Sequence, residues 1–364
     1  MKDLGKKKLL IIAGGIIGLV VLIIIILLIY NAIFGKTSYK DIENKVLRAA
    51  KEYYGAHSEL LPKNENEQVS TTDTALTAAG YLKSMSELTK GMDVSCSATV
   101  MVSYAGGEYR YTPLLNCGDK YSSKTLTSYI MNNESKVFTG EGLYDLNGEL
   151  VFRGEDPNNY VKLSGKMWRI VKIQNNQAVL ILNDKFERAV WDDRFNADRD
   201  RTDGINTYSV SRIKESLDDF YKGDNLFDKD SKNLVSVHTL YTGKRLETDN
   251  YNDGSIEKVE FLDNQYIGLL PLYDYINASI DENCNSAITD SCSNYNYLNH
   301  FDYNWWTITA DASNTYKVFR VSNDGTVESL RASSNGYARP VIYLAKDALY
   351  TGGTGTSEDP YTIK

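Results

Sequence analysis

The sequence predicts a single transmembrane helix followed by an α+β ectodomain in two parts. Three observations carry this expectation. Leu9 to Tyr30 (LLIIAGGIIGLVVLIIIILLIY) is an apolar run without one charged residue. Beyond it, a helix-period stretch leads into a strand pair that contains two cysteines. From residue 141 onward, short strand-like segments separated by turn residues dominate, and an amphipathic helix interrupts them.

The apolar run comes first in the chain. Twenty-two residues at about 1.5 Å rise cover roughly 33 Å, the span of a bilayer core. A cleaved signal peptide would have a shorter apolar region of about 7–15 residues and a small-residue cleavage site. Ile29 to Phe34 supplies no such site. The reading is an uncleaved anchor over 9–34 with a short tail, 1–8, ahead of it. Lys2, Lys6, Lys7 and Lys8 precede the run against Asp3 alone. The positive-inside rule then places the N-terminus in the cytoplasm and the C-terminal region outside the cell membrane. The chain carries a net charge of −8, and its first eight residues are basic, so the remainder is more acidic still. That balance argues against nucleic acid as a partner. The partners expected are the membrane and a glycan or surface protein.

All four cysteines lie beyond the run: Cys96, Cys117, Cys284 and Cys292. An even count in an oxidising compartment reads as two disulfides, with three possible pairings. Chain order favours Cys96–Cys117 and Cys284–Cys292. A zinc site fits poorly, because no C-x-x-C occurs and His57, His238 and His300 are scattered.

Ser38 to Gly55 carries Tyr39, Ile42, Val46, Ala49, Ala50 and Tyr53 at helical spacing. Ala75 to Leu82 reads as a second, shorter helix. Val94 to Cys117 reads as a hairpin about Gly106-Gly107, whose glycines supply the positive φ of a two-residue turn. That turn sets Cys96 opposite Cys117 at a non-hydrogen-bonded pair, where side chains lie closest. A membrane helix, IENKVLRAAKEYYG, the ALTAAGYL helix and a cysteine-bearing strand pair together resemble the pilin-like stems of Gram-positive-type envelope proteins. The resemblance covers residues 9–120. It implies a helix-and-hairpin stalk over 36–120. Type IV pilins carry a glutamate just inside the apolar segment, and Gly5-Lys6-Lys7-Lys8-Leu9-Leu10 has none.

Residues 121–140 read as a polar connector. Leu143–Leu146 and Glu149–Arg153 flank Asn147-Gly148, a strong type I′ hairpin signal. Tyr160–Ser164, Met167–Ile173 and Gln177–Leu182 continue a meander. Val210 to Tyr221 reads as the amphipathic helix, with Val210, Ile213, Leu217 and Phe220 on one face. Tyr266 to Ala278 reads as a buried strand turning into a helix. Trp305–Ala310, Tyr316–Val321, Val327–Leu330 and Arg339–Leu344 are strands, and 347–364 is a Gly/Thr-rich tail. Tyr160-Val161-Lys162, Trp168-Arg169-Ile170, Gly204-Ile205-Asn206 and LLPLYDYINAS resemble a bacterial surface domain of the formylglycine-generating-enzyme and C-type-lectin-like folds. Asn296-Tyr297-Leu298, Trp305-Trp306-Thr307 and Arg339-Pro340-Val341-Ile342 belong to the same pattern. The resemblance implies a C-type-lectin-like mixed α+β distal domain over 141–346.

The candidate sites are few. Enzymes of that fold use cysteines to bind copper. Cys284 and Cys292 sit in an Asn/Asp/Ser stretch with no histidine close by and read as a loop-closing disulfide. The acidic loop Trp191 to Tyr208 offers Asp198, Asp200 and Asp203 as calcium candidates, but Gly204 falls seventh from Asp198 rather than sixth, and arginines are interleaved. Trp191 and Trp306 are ligand-binding candidates as flat aromatic platforms. Arg339 is a third, as a partner for a carboxylate near the fold's ligand face. No nucleophile–base set, catalytic residue or cofactor motif is legible. The reading is a membrane-anchored, non-enzymatic surface display or binding protein for a glycan or protein ligand. A formylglycine-generating-type oxidoreductase or wall-modifying enzyme, and a minor pilus-type subunit, stand as alternatives.

Overall fold

A computed structural model of the chain describes residues 23–25, 37–65, 67–105, 107–284, 288–299 and 302–364. It corrects the anchor expectation. Among the described residues no helix is long and apolar enough to cross a membrane. Of Leu9 to Tyr30 only residues 23–25 are described; the rest of that stretch and the expected 1–8 tail lie outside the described residues. The single-pass placement with an extracellular C-terminal region is not retained.

The α+β expectation is also corrected, because the described fold is mostly β. It contains nineteen strands, and after an 18-residue first helix none exceeds 11 residues. The physical reason lies in composition. Tyrosine, valine, isoleucine and threonine pack well on a pleated surface. The helix period over residues 75–82 is cut short by Gly80, which sits at φ 80°. The chain forms two compact units.

The first unit comprises the chain up to Leu61, with Ser70–Met101 and Pro113–Ser122. Helix α1 (Tyr39–Ala56) begins at a capping box. Asp41 N–H donates to Ser38 Oγ at 3.1 Å, and Ser38 N–H to Asp41 Oδ2 at 3.0 Å. Its buried face is Ile42, Val46, Ala49, Ala50 and Tyr54. Strand β1 (Gln68–Thr72) runs into the short helices α2 (Asp73–Ala78) and α3 (Met85–Leu88). Strands β2 (Ser97–Ala105) and β3 (Glu108–Asn116) are neighbours in a three-stranded sheet with β1. They end at 105 and 108, as the two-residue turn requires, and Cys96–Cys117 is disulfide-bonded at their base.

The second unit holds most of the chain. Helix α4 (Leu126–Asn133) lies where the connector was expected, with Leu126 and Ile130 in the core. A nine-stranded sheet follows the order β10-β17-β8-β7-β6-β19-β18, with β5 paired to β7 and β4 to β5. Its members are β4 (Gly142–Leu146), β5 (Glu149–Arg153), β6 (Tyr160–Leu163), β7 (Lys166–Gln174), β8 (Gln177–Leu182), β10 (Val235–Ser236), β17 (Val341–Leu344), β18 (Tyr350–Gly352) and β19 (Tyr361–Ile363). Asn147 (φ 55°) with Gly148 (φ 87°), and Asn175 (φ 51°) with Asn176 (φ 61°), make the left-handed turns that close two of its hairpins. The expected Gly/Thr-rich tail supplies β18 and β19, and Tyr361 is fully buried.

A five-stranded sheet has the order β15-β14-β13-β16-β9. It uses β9 (Glu187–Val190), β13 (Trp305–Ala310), β14 (Lys317–Val321), β15 (Val327–Arg331) and β16 (Asn335–Ala338). β11 (His238–Tyr241) and β12 (Phe261–Gln265) form a separate pair. Helix α5 (Arg212–Lys222) starts at Ser211, which caps it, and buries Ile213 and Leu217. Val210, expected on that face, lies outside the helix and is exposed. α6 (Lys229–Lys232) is a single turn, and α7 (Leu272–Asn277) packs among the core residues. One continuous core runs through the unit and includes Trp168, Ile181, Ile213, Leu269, Trp305 and Ile342.

Candidate functional site

β5 and α7 build the walls of a cleft of about 480 Å³ in the second unit. β5 ends in Arg153. Tyr144 on β4 lies under its guanidinium, whose carbon is 4.8 Å from the ring centroid. α7 contributes Tyr273 and Asn277. A loop adds Asn252, and the segment before β4 adds Phe138, which is 91 % exposed. Asp281, Glu282 and Cys284 complete the rim. With Asn147 of the turn between β4 and β5, the lining combines three aromatic side chains with three amides, one guanidinium and two carboxyls.

Arg153 is fixed rather than free. Its Nε donates to the Ser279 carbonyl at 3.1 Å and its Nη2 to the same oxygen at 2.5 Å. No protein acceptor takes its Nη1 among the described residues. Burial draws Arg153 below the ordinary guanidinium range, against the pull of Tyr144 and Tyr273. Burial, then the charges of Asp274 and Glu149, lift the Tyr273 hydroxyl above the usual phenol range, so it stays a neutral donor.

Two buried charge networks hold these walls. Lys172 on β7 reaches Asp274 Oδ1 at 2.8 Å and Glu149 Oε2 at 3.4 Å. Burial opposes the Lys172 ammonium, but the carboxylates outweigh it and keep the proton on the amine. Glu149 also meets Lys258 at 3.4 Å. In the second network Arg245 Nε lies 3.0 Å from Glu257 Oε1. That oxygen accepts from Thr309 Oγ1 at 2.7 Å and Tyr273 N–H at 3.3 Å. Leu272 N–H donates to Thr309 Oγ1 at 2.9 Å. Pro271, the residue before α7, gives no side-chain cap. Thr309 and Glu257 thus take the orphan donors of the helix's first turn from another part of the fold. Arg245 also donates to the carbonyls of Asn250 at 3.2 Å and Asp253 at 2.5 Å, which fixes the loop carrying Asn252. Gly254 closes that loop onto Tyr273. A Cβ there would lie 2.9 Å from the Tyr273 ring.

The rim is stapled. Cys284 and Cys292 form a disulfide, so both sulfurs are engaged with each other. Asp281 accepts from Asn283 N–H at 2.8 Å and Asn294 Nδ2 at 2.8 Å, and these bonds hold its carboxyl below the usual range. Ser279 Oγ donates to the Asn294 carbonyl at 2.7 Å.

The residues singled out in the sequence lie elsewhere. Trp191 and Trp306 are both 0 % exposed, so neither offers a face to a ligand. Their indole N–H groups donate to the carbonyls of Thr307 and Ala189, at 3.2 and 3.1 Å. Arg339 is also sealed. It donates to the carbonyls of Leu182 (3.3 Å) and Leu298 (2.9 Å) and covers the Trp305 ring at 4.8 Å; burial draws its pKa down to about 10. Asp198, Asp200 and Asp203 are not gathered around one point. Asp198 accepts from Thr315 Oγ1 at 2.8 Å, while Asp203 pairs with Arg199 at 3.3 Å and Arg331 at 3.4 Å. Among the described residues no group of three acidic, histidine or cysteine side chains could hold a metal ion. The chain matches no family model, no curated protein and no solved structure.

Sequence reasoning missed the cleft residues themselves. The Asn147-Gly148 hairpin already paired the strands that carry Tyr144 and Arg153, in the register Gly142↔Arg153 and Tyr144↔Val151. Nothing local linked that hairpin to LLPLYDYINAS, more than a hundred residues on.

Proposed function

We propose that this chain is a non-enzymatic binding protein whose ligand is a glycan, held in the cleft between β5 and α7. The observation that carries the reading is the lining itself. Tyr273 and Phe138 supply flat apolar faces for the C–H surfaces of a sugar ring, while Tyr144, itself buried, backs the Arg153 guanidinium. Asn252, Asn277 and Arg153 supply directional partners for hydroxyls. Polar side chains interleaved with aromatic faces, in a volume of about 480 Å³, suit a small ligand that is itself polar. The walls are also pre-organised. Arg153, α7 and the Asn252 loop are held by buried bonds before any ligand arrives, which lowers the ordering cost of binding. The two disulfides suit an oxidising compartment.

The test is direct binding of the folded full-length chain, disulfides intact, to an oligosaccharide array. The reading expects a defined set of bound glycans, bound more weakly by Tyr273→Ala and Arg153→Gln. Binding of no glycan, or equal binding by both variants, contradicts it.

A further inference from the structure

The Lys172–Asp274 pair joins two elements that lie far apart in the chain. The two side chains come from β7 and α7, 102 residues apart in sequence, and are only 8 % and 5 % exposed. Nζ and Oδ1 are 2.8 Å apart. Glu149 Oε2 lies 3.4 Å from the same nitrogen, and Glu149 is the most open of the three, at 27 %. A buried ion pair has to recover the cost of removing both charges from water. The same arrangement holds the parts of an amide-forming site: an amine, a carboxyl carbon beside it and a second carboxyl within reach to move protons.

We propose that Lys172 and Asp274 condense to an intramolecular isopeptide bond, with Glu149 as the proton carrier. The resting state is the ion pair. One proton crosses the 2.8 Å hydrogen bond from Nζ to Asp274, which leaves a neutral amine and a neutral acid. The nitrogen lone pair forms the N–Cγ bond, and the carbonyl π electrons move onto oxygen. Glu149 accepts a proton from the now positive nitrogen and passes it to the departing hydroxyl. The carbonyl re-forms, the C–O bond breaks and one water leaves. Nothing is oxidised or reduced, and Glu149 ends as it began. Fixing the two reactants in contact corresponds to effective molarities of roughly 10⁵ M or more. Exclusion of bulk water from the pair favours condensation over hydrolysis, and the partly open Glu149 edge gives the released water a way out. The product ties α7 covalently to the central sheet, which goes beyond any ligand the cleft accepts.

The experiment is the intact mass of the purified, non-reduced full chain, followed by peptide mapping. The expected mass is one water below that of the sequence with two disulfides, with a branched peptide joining Lys172 to Asp274. Glu149→Gln, folded by circular dichroism, is expected to keep the water. A wild-type mass with no water missing overturns the proposal. So does a water loss that maps to a succinimide at Asp203, Asp253 or Asp324, each of which precedes a glycine. An unchanged water loss in Glu149→Gln overturns the role given to Glu149.

Discussion

At the scale of single residues, Arg153 faces two ways. Two of its nitrogens hold the Ser279 carbonyl, and its flat face covers Tyr144. Charge-assisted bonds are worth about 1.5–3 kcal/mol each. Arg153→Gln is therefore expected to lower the denaturant midpoint as well as glycan affinity, whereas Tyr273→Ala acts chiefly on affinity. Equilibrium unfolding of both variants separates the two effects. His238 makes a different prediction. It is buried, stacks on Tyr343 at 3.9 Å, and its Nδ1 lies 3.3 Å from the Ser236 carbonyl. Burial pushes its pKa down to about 4 from 6.5, against the pull of Ser236. The unfolded chain takes up this proton near pH 6.5 and the folded chain refuses it until about 4. Stability is then full above pH 6.5 and falls as pH drops toward 4, by about 3 kcal/mol from this group. Urea unfolding from pH 7 to 4 is expected to show that slope in the wild type and a shallower one in His238→Phe.

At the scale of elements, α7 decides the site. It is six residues long and has no side-chain cap of its own, so Thr309 and Glu257 act in the cap's place. Thr309→Val removes one acceptor and one donor from buried partners. It is expected to cost about 1–3 kcal/mol in unfolding free energy and to weaken glycan binding without touching the cleft. Gly254→Ala presses on the Tyr273 ring and is expected to weaken binding with less effect on stability. This dependence also shows what was legible beforehand. The Asn147-Gly148 and Asn175-Asn176 hairpins announce themselves, because a left-handed turn demands those residues locally. Cys96 and Cys117 were placed opposite one another by the same turn logic. Trp191, Trp306 and Arg339 drew attention by residue type. A tryptophan that fills a core and one that stacks on a ligand look alike in sequence, and only the packing of distant strands distinguishes them. The cleft was not legible for the same reason: its walls meet through Lys172–Asp274 and Arg245–Glu257, pairs with no sequence signature.

At the scale of the whole molecule, the larger unit is rich in β-structure, where the sequence predicts an anchored α+β layout, and each unit carries one disulfide. The net charge of −8 sets the sign of the long-range field. A polyanion gains nothing from it, so the chain is expected to pass through a heparin column at low salt unretained. Retention there would point to a local basic patch strong enough to override the net charge. The central claim is that the cleft between β5 and α7 binds a glycan. Its most direct test is a calorimetric titration of wild type and Tyr273→Ala with the oligosaccharide bound best on an array. Losing one stacking face is expected to raise Kd about tenfold, near 1.4 kcal/mol. An unchanged Kd in a variant that remains folded would place the ligand elsewhere and contradict the account.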